Sequence, residues 1–232
     1  MMKIDMHTHC LPVSRCAHHQ PNELPEIFKK NGIDAIVLTN HCYPNHCDPL
    51  SSNLNEQTKI YIDIFNRCKI AGDKIGFKVF FGSEIKLINE PNKPEFLLYG
   101  LSEEDFLSSY PLYNASQKEL FDFCEQKNII MVQSHPYWIE QGYYPADMRC
   151  VHGIEVYNPH PLFNARFEKT LELAVQNKKI ITAGSDFHAK ANVGKSGMIV
   201  PDNIEDQFML RDYLQKDKQI IFNKDGILYE SI

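Results

Sequence analysis

Six polar clusters stand out in this chain, each following a run of β-branched or apolar residues. In order they are Asp5-Met6-His7-Thr8-His9, Thr39-Asn40-His41, Gly82-Ser83-Glu84, Ser134-His135-Pro136, Tyr157-Asn158 and Gly184-Ser185-Asp186-Phe187-His188. In an extended strand residues i and i+2 point to the same side, so His7 and His9 can clasp one ion, and Asp186 and His188 can do the same. Imidazole nitrogens combined with carboxylate oxygens suit zinc, manganese or iron and suit magnesium or calcium poorly. The candidate ligands His7, His9, His41, Glu84, His135, Asp186 and His188 exceed what one tetrahedral ion takes, which points to two or three divalent ions with Glu84 as the bridging carboxylate. A lone H-x-H or D-x-H recurs by chance, and a lone Glu can serve a salt bridge. The joint placement argues for metal, because burying several imidazoles and carboxylates without partners costs several kcal/mol.

The elements that must position these residues follow from the same runs. Strands are expected at Met2–Met6, Ala35–Thr39, Phe77–Gly82, Ile129–Gln133, Gly153–Tyr157, Ile180–Ala183 and Gln219–Phe222. Amphipathic stretches at Asn22–Asn31, Gln57–Ile70, Ser116–Lys127 and Phe163–Lys178 lie between them. Strands alternating with helices read as βα units around a parallel sheet, and about seven strands in one domain suit a barrel, although periodicity alone does not choose it over an open sheet. In a parallel barrel the C-terminal strand ends converge on one mouth. The regions 42–56 and 85–115, rich in Pro, Asn and Ser, read as long loops on that face. With 136–150 they are expected to choose the substrate, and Tyr137, Trp138, Tyr143 and Tyr144 offer an aromatic wall or core packing.

The remaining histidines read differently. His46 is expected to be an exposed loop residue and His152 to sit at the opposite, structural end. His160 follows Tyr157-Asn158 toward the mouth, and His18 or His19 offers one further loop ligand. Cys10, Cys16, Cys42 and Cys47 follow ligand-bearing strands but read as small apolar packing rather than ligands.

Composition sets the outer limits. The 232 residues carry 24 Lys+Arg against 30 Asp+Glu, a formal net charge of −6, with no basic block to offer a phosphate-backbone footprint. Long nucleic acid and membrane are therefore not expected as partners, and no apolar run reaches the roughly 18–20 residues of a membrane helix. Seven scattered cysteines without a C-x-x-C pair fit reduced thiols, and the acidic, histidine-bearing start is unlike a secretory leader, so a cytoplasmic location is expected. Oligomeric state is not legible.

The ordered set D-x-H-x-H, T-N-H, G-S-E, S-H-P and G-S-D-F-H resembles the polymerase and histidinol phosphatase (PHP) superfamily, from Asp5 to about Gly197. The resemblance implies an α/β fold, a distorted seven-stranded (β/α)7 TIM-like barrel spanning residues 1–232 as a single domain, with two or three metal ions at its mouth. It also implies phosphoester hydrolysis. Carried over by motif, His7, His9, Glu84 and Asp186 hold one metal, Glu84 and His135 a second, and His41 and His188 a third. Three departures stand out. Asn40 replaces the usual Asp of T-D-H, behind the ligands. No His lies between 85 and 134 to complete the second site, where Glu95 in Pro94–Gly100 offers an oxygen instead. The third site lacks its usual loop ligand, and His18 is the nearest imidazole.

The implied mechanism is in-line attack on a small phosphorylated metabolite, histidinol phosphate being one precedent, by a metal-bridging hydroxide held by Glu84 and Asp186. Arg15 and Lys195 are candidate phosphate-orienting cations. Two other readings compete. Amidohydrolase-type C–N hydrolysis uses similar barrels, but with a middle-strand Lys where this chain has Glu84. A non-catalytic metal-binding protein on the same scaffold is the other.

Overall fold

Strand β1 (Met2–Thr8) is the axis of the molecule in this computed structural model, which describes residues 1–160, 163, 166–216 and 218–231. It pairs in parallel with β2 (Ala35–Leu38), which pairs with β4 (Lys78–Lys86). The two-residue β3 (His41–Cys42) also lies parallel to β4 and sets His41 opposite Glu84. The sheet continues through β5 (Glu95–Tyr99), β6 (Ile130–Gln133), β7 (Gly153–Tyr157) and β8 (Ile180–Ala183). On the other side of β1 come β9 (Ser196–Val200), β10 (Ile220–Asn223) and β11 (Gly226–Glu230), all antiparallel.

The sheet is thus mixed rather than parallel. Strand β5 runs antiparallel to both neighbours. The cause is local: β4 and β5 are joined by a short connection that reverses the chain, whereas parallel strands need a crossover. The reversal brings the first residue of β5, Glu95, to the same end as the last residues of β4.

Curling of the sheet carries the segment after β8 back against β1. The Phe187 amide donates to the His7 carbonyl at 3.1 Å and the His9 amide to the Phe187 carbonyl at 3.0 Å. Gly184 permits the approach, since a Cβ there would lie 2.3 Å from the His7 Cβ. Closure is by these few bonds and the single Thr8–Phe187 bridge, not by a full ladder.

The described α-helices are α1 (Leu24–Lys30), α2 (Pro44–Cys47), α3 (Leu54–Asp73), α4 (Glu103–Ser109), α5 (Gln117–Lys127), α6 (Phe167–Gln176) and α7 (Gln207–Lys216), beside four single-turn 3-10 helices. Segments 42–56 and 85–115 therefore hold β3, α2, α4, β5 and the start of α3 rather than irregular loop. The expected start of the helix at Phe163 lies partly outside the described residues. Helix α5 begins where Ser116 and Glu119 form a reciprocal capping box, and Asn128 ends it in the left-handed region.

Strand residues alternate between two apolar clusters. Ile36, Leu38, Phe96 and Leu98 join Phe28, Tyr61, Phe65 and Phe106 of the helices, while Ala35, Val37, Leu97 and Tyr99 face the other cluster. No helix among the described residues is long and apolar enough to cross a membrane.

Candidate metal centre

Strand ends deliver the polar residues to one place. His7 is within β1 and His9 just beyond it, His41 lies on β3, Glu84 on β4, Glu95 on β5, His135 past β6, and Asp186 and His188 past β8. All seven predicted ligands, with Glu95, fall into overlapping groups whose ligand atoms lie within 4.8 Å of one another: His7-His9-Glu84, His7-His135-Asp186, Glu84-Glu95-His135 and His9-His41-His188.

The hydrogen-bond network decides which imidazole nitrogen faces inward. His7 Nδ1 lies 2.9 Å from Glu155 Oε1, and a carboxylate only accepts, so the proton is on Nδ1 and the Nε2 lone pair points at the cluster. For His9 the logic runs through three residues. The Cys10 amide donates to Asn40 Oδ1 at 2.8 Å, so that oxygen is an acceptor, and the Ser14 hydroxyl must spend its proton on it at 2.9 Å. Ser14 Oγ therefore accepts from His9 Nδ1 at 3.2 Å, leaving Nε2 as a lone pair. Asn40 performs this task with an amide oxygen, which explains why the residue behind the ligands need not be an acid. His188 Nδ1 donates to the Asp186 carbonyl at 2.9 Å, freeing its Nε2 as well.

Those lone pairs meet acceptors. His7 Nε2 is 3.2 Å from Glu84 Oε1 and 3.4 Å from Asp186 Oδ1; His9 Nε2 is 3.1 Å from Asp186 Oδ1 and 3.6 Å from Glu84 Oε2. Neither nitrogen, nor Asp186 Oδ1, makes a hydrogen bond among the described residues, although all are buried, and Glu84 Oε2 meets only His41 Nδ1, at 2.7 Å. Acceptor facing acceptor in a buried space is unfavourable unless a cation lies between them. Two ligands on an ion at about 2.1 Å stand roughly 3.0–3.4 Å apart, close to the separations seen. The donor set fits divalent metal.

Without an ion, protons on the imidazoles supply the positive charge that the carboxylates require. Burial opposes charge on His7, yet Glu84, Asp186 and Glu155 outweigh it and push that imidazole well above its usual range. Burial would raise Glu84 and Asp186, but the surrounding imidazoles, His7 foremost, hold both carboxyls well below theirs. His9 is forced well below its usual value by burial and by His41 and His188. His41 reaches about 10, with Glu84 overriding desolvation. Burial alone lifts Asp5 to about 7, while its Oδ1 accepts from the Ser185 and His7 amides and pins β1 to the turn after β8. Two ligands, His135 at φ 29° and Asp186 at φ 50°, hold left-handed backbone, a conformation that costs a non-glycine residue about 1–2 kcal/mol.

A cavity of about 460 Å³ opens on the cluster. Trp138, Tyr143, Asn158 and His160 line it together with the ligands. Asn158 is fully buried; its Oδ1 accepts from the His160 amide at 3.0 Å, and its Nδ2 has no acceptor among the described residues. Trp138 Nε1 and His160 Nδ1 are likewise unpartnered there, and their rings lie 4.3 Å apart. Tyr143 donates to Glu95 at 2.8 Å and meets Lys86 at 2.8 Å.

Other expected positions differ. Arg15 is exposed, and neither it nor Lys195 lines the cavity. His18 is exposed and joins no ligand group among the described residues; its amide instead donates to the His188 carbonyl at 2.9 Å. His46 is not an exposed loop residue but is 7% exposed within α2, its Nδ1 accepting from the Arg15 amide at 3.0 Å and its Nε2 meeting Tyr43 Oη at 2.9 Å. Both nitrogens are taken, and burial holds it down to about 4. His152 pairs with Glu125 on the surface. Tyr137 lies beneath Lys169 and Tyr144 is 45% exposed, so neither forms the cavity wall.

Two residues emerge that the sequence did not mark, and a third, Cys16, expected as apolar packing, is exposed. Glu155, an acid inside the apolar run GIEVY, carried a signal, since such a residue must be paired when buried. Ser14 carried none. Cys16 lies at the cavity within hydrogen-bonding reach of His188 and His41, and these bring its thiol to about 6 against the opposing effect of burial.

No family model matches the sequence, and no curated protein matches it. Solved structures do share the fold. A two-domain protein from Bacteroides vulgatus containing a predicted PHP-like metal-dependent phosphoesterase aligns with a TM-score of 0.72 at 21% identity over 97% of this chain and 66% of that one. An amidohydrolase from Chromobacterium violaceum, solved with sulfate and no metal, aligns at 0.57 and 13% over 95% of this chain and 97% of that one. The lesion-specific endonuclease PfuEndoQ from Pyrococcus furiosus aligns at 0.63 and 11% over 99% of this chain and 58% of that one. At 21% identity or less these likenesses show a shared fold, one that hosts a predicted PHP-like phosphoesterase, an amidohydrolase and an endonuclease. The endonuclease corrects one expectation: the fold serves an enzyme that cuts nucleic acid, so a small phosphorylated metabolite to the exclusion of long nucleic acid is not sustained. The physical reason is that cations bound in an acidic site reverse its field, and net charge alone does not report on it.

Proposed function

We propose that this chain is a PHP-type phosphoester hydrolase that works with two or three divalent ions, zinc, manganese or iron, in a distorted (β/α)7 barrel formed by one domain. The observation that carries this reading is the set of buried, unpartnered lone pairs on His7, His9 and Asp186, aimed at one another and at Glu84. His7, His9, Glu84 and Asp186 would hold one ion, Glu84, Glu95 and His135 a second, and His41 and His188 a third. Such ions, when bound, neutralise phosphate oxygens and bring a water toward ionisation at neutral pH.

The chain's own groups do the rest. Glu155 and Ser14 fix the tautomers of His7 and His9, so that neither ring must turn during turnover. Asn158 and Trp138, whose Nδ2 and Nε1 have no acceptor among the described residues, line the cavity and are the neutral donors that would orient a phosphoryl group there. Glu84 in place of a lysine supports phosphoester over amide chemistry. A terminal phosphomonoester of the histidinol-phosphatase kind is the finer reading, and seven free cysteines support a cytoplasmic setting.

The test is metal analysis of the purified protein paired with turnover of p-nitrophenyl phosphate, bis-p-nitrophenyl phosphate and a single-stranded oligonucleotide. Preference for the first supports the monoester; preference for either diester moves the substrate to that class. Bound metal without turnover of any phosphoester would overturn the hydrolase reading in favour of amide hydrolysis or a non-catalytic metal site. Absence of bound transition metal would overturn it outright.

A further inference from the structure

The outer part of the cluster contains a sulfur. Cys16 lies in the loop after β1, lines the cavity, and sits within hydrogen-bonding reach of both His41 and His188. Its Sγ also falls in a group with His41 and His46 whose ligand atoms are within 4.8 Å of one another. His46 is disqualified, because its two nitrogens serve the Arg15 amide and Tyr43. His188 is available, since its Nδ1 proton goes to the Asp186 carbonyl and Nε2 is left as a lone pair. An independent sign of a ligand comes from His41, which shares the group with Cys16: it is 7% exposed, and its Nδ1 makes no hydrogen bond among the described residues while lying 2.7 Å from Glu84 Oε2.

We propose that Cys16 donates a thiolate to a cation held with His41 and His188, which makes this third site selective for zinc-like, thiophilic ions over manganese. This rests on the metal-cluster reading above. Binding releases the protons still held by the sulfur and by the ligating imidazole nitrogens: each S–H or N–H bond breaks as the bond to the metal forms, and the proton passes to solvent at the open cavity. Three protein ligands leave a position free for water or a substrate oxygen, the arrangement of a catalytic rather than a structural zinc site. Thiolate ligation biases the choice among first-row ions toward zinc and cobalt, while oxygen and imidazole sites accept manganese.

The test uses the full chain loaded with cobalt and, separately, with zinc. Cobalt-loaded protein should show thiolate-to-cobalt charge-transfer absorption in the near ultraviolet. Cys16→Ser should lose that absorption and one equivalent of metal, and Cys16→His should regain the metal without the absorption. In a Cys150→Ser background, where Cys16 is the exposed thiol among the cysteines, zinc should block its labelling by a thiol reagent. Unchanged metal content and absorption in Cys16→Ser, or labelling indifferent to zinc, would overturn the inference while leaving the cluster intact. If the wild-type chain takes up no cobalt or zinc, and His9→Ala matches it, the metal-cluster reading fails and this inference with it.

Discussion

The inner and outer halves of the cluster are built differently. The inner half takes His7, Glu84 and Asp186 from strands or the residues just past them, His7 and Glu84 enclosed and Asp186 at the cavity floor, with Glu155 and Ser14 buried behind the imidazoles. The outer half joins a two-residue strand bearing His41 to a loop bearing Cys16 and a half-exposed His188, all on the cavity. Strand residues inherit their direction from the sheet, whereas loop residues are aimed by whatever packs on them. The inner half should therefore bind tightly and tolerate little, and the outer half should exchange its ion and set metal preference.

The largest effect expected from breaking the contrast is on the inner half. Asp186→Ala should remove about a thousandfold or more of kcat/KM and at least one metal equivalent, because it strips the oxygen shared by His7 and His9. Steady-state kinetics with metal analysis checks this; a variant within tenfold of wild type would deny the inner site its role.

Chelation tests the coupling of metal to fold. An ion present at about a hundredfold over its Kd adds roughly 2.7 kcal/mol, so removing it should lower Tm by roughly 5–10 °C. Calorimetry with and without chelator reads the shift, and an unchanged Tm would argue that the buried lone pairs are satisfied without metal.

Glu155→Gln sharpens the comparison from behind. It keeps the shape but lets the amide present a donor to His7 Nδ1, and metal affinity should fall about 10–100-fold with the fold retained. Isothermal titration measures the change; an equal loss in metal-free stability would make Glu155 merely a packing residue. The smallest effect belongs to the periphery. Arg15→Ala and Lys195→Ala, both away from the cavity lining, should shift stability by no more than about 0.5 kcal/mol. A large rise in KM in either would bring that cation back to the substrate.

The regions that were legible and those that were not divide along the same line. The H-x-H of β1 and the D-x-H after β8 were readable because a period of two is a local property of extended chain. Glu95 was found only through its place in a motif series, since its strand runs against its neighbours and reads as loop. His46 and Cys16 were read wrongly as a surface histidine and as apolar packing, because the five-residue chain from Tyr43 to Cys47 looks like loop until α2 and the segment after β1 pack together.

What the sequence determined by itself was the chemistry of the donors and the order in which strand ends present them, because ligand type and strand periodicity are both written within a few residues. Only the tertiary structure decided which nitrogen of His7 and His9 faces the cluster, that Asn40 can do the work of an acid, and that Cys16 rather than His18 stands beside His41 and His188. Each of these depends on bonds between residues far apart in the chain, such as His7 with Glu155 and Ser14 with Asn40, and on the curl that lets Gly184 close against β1.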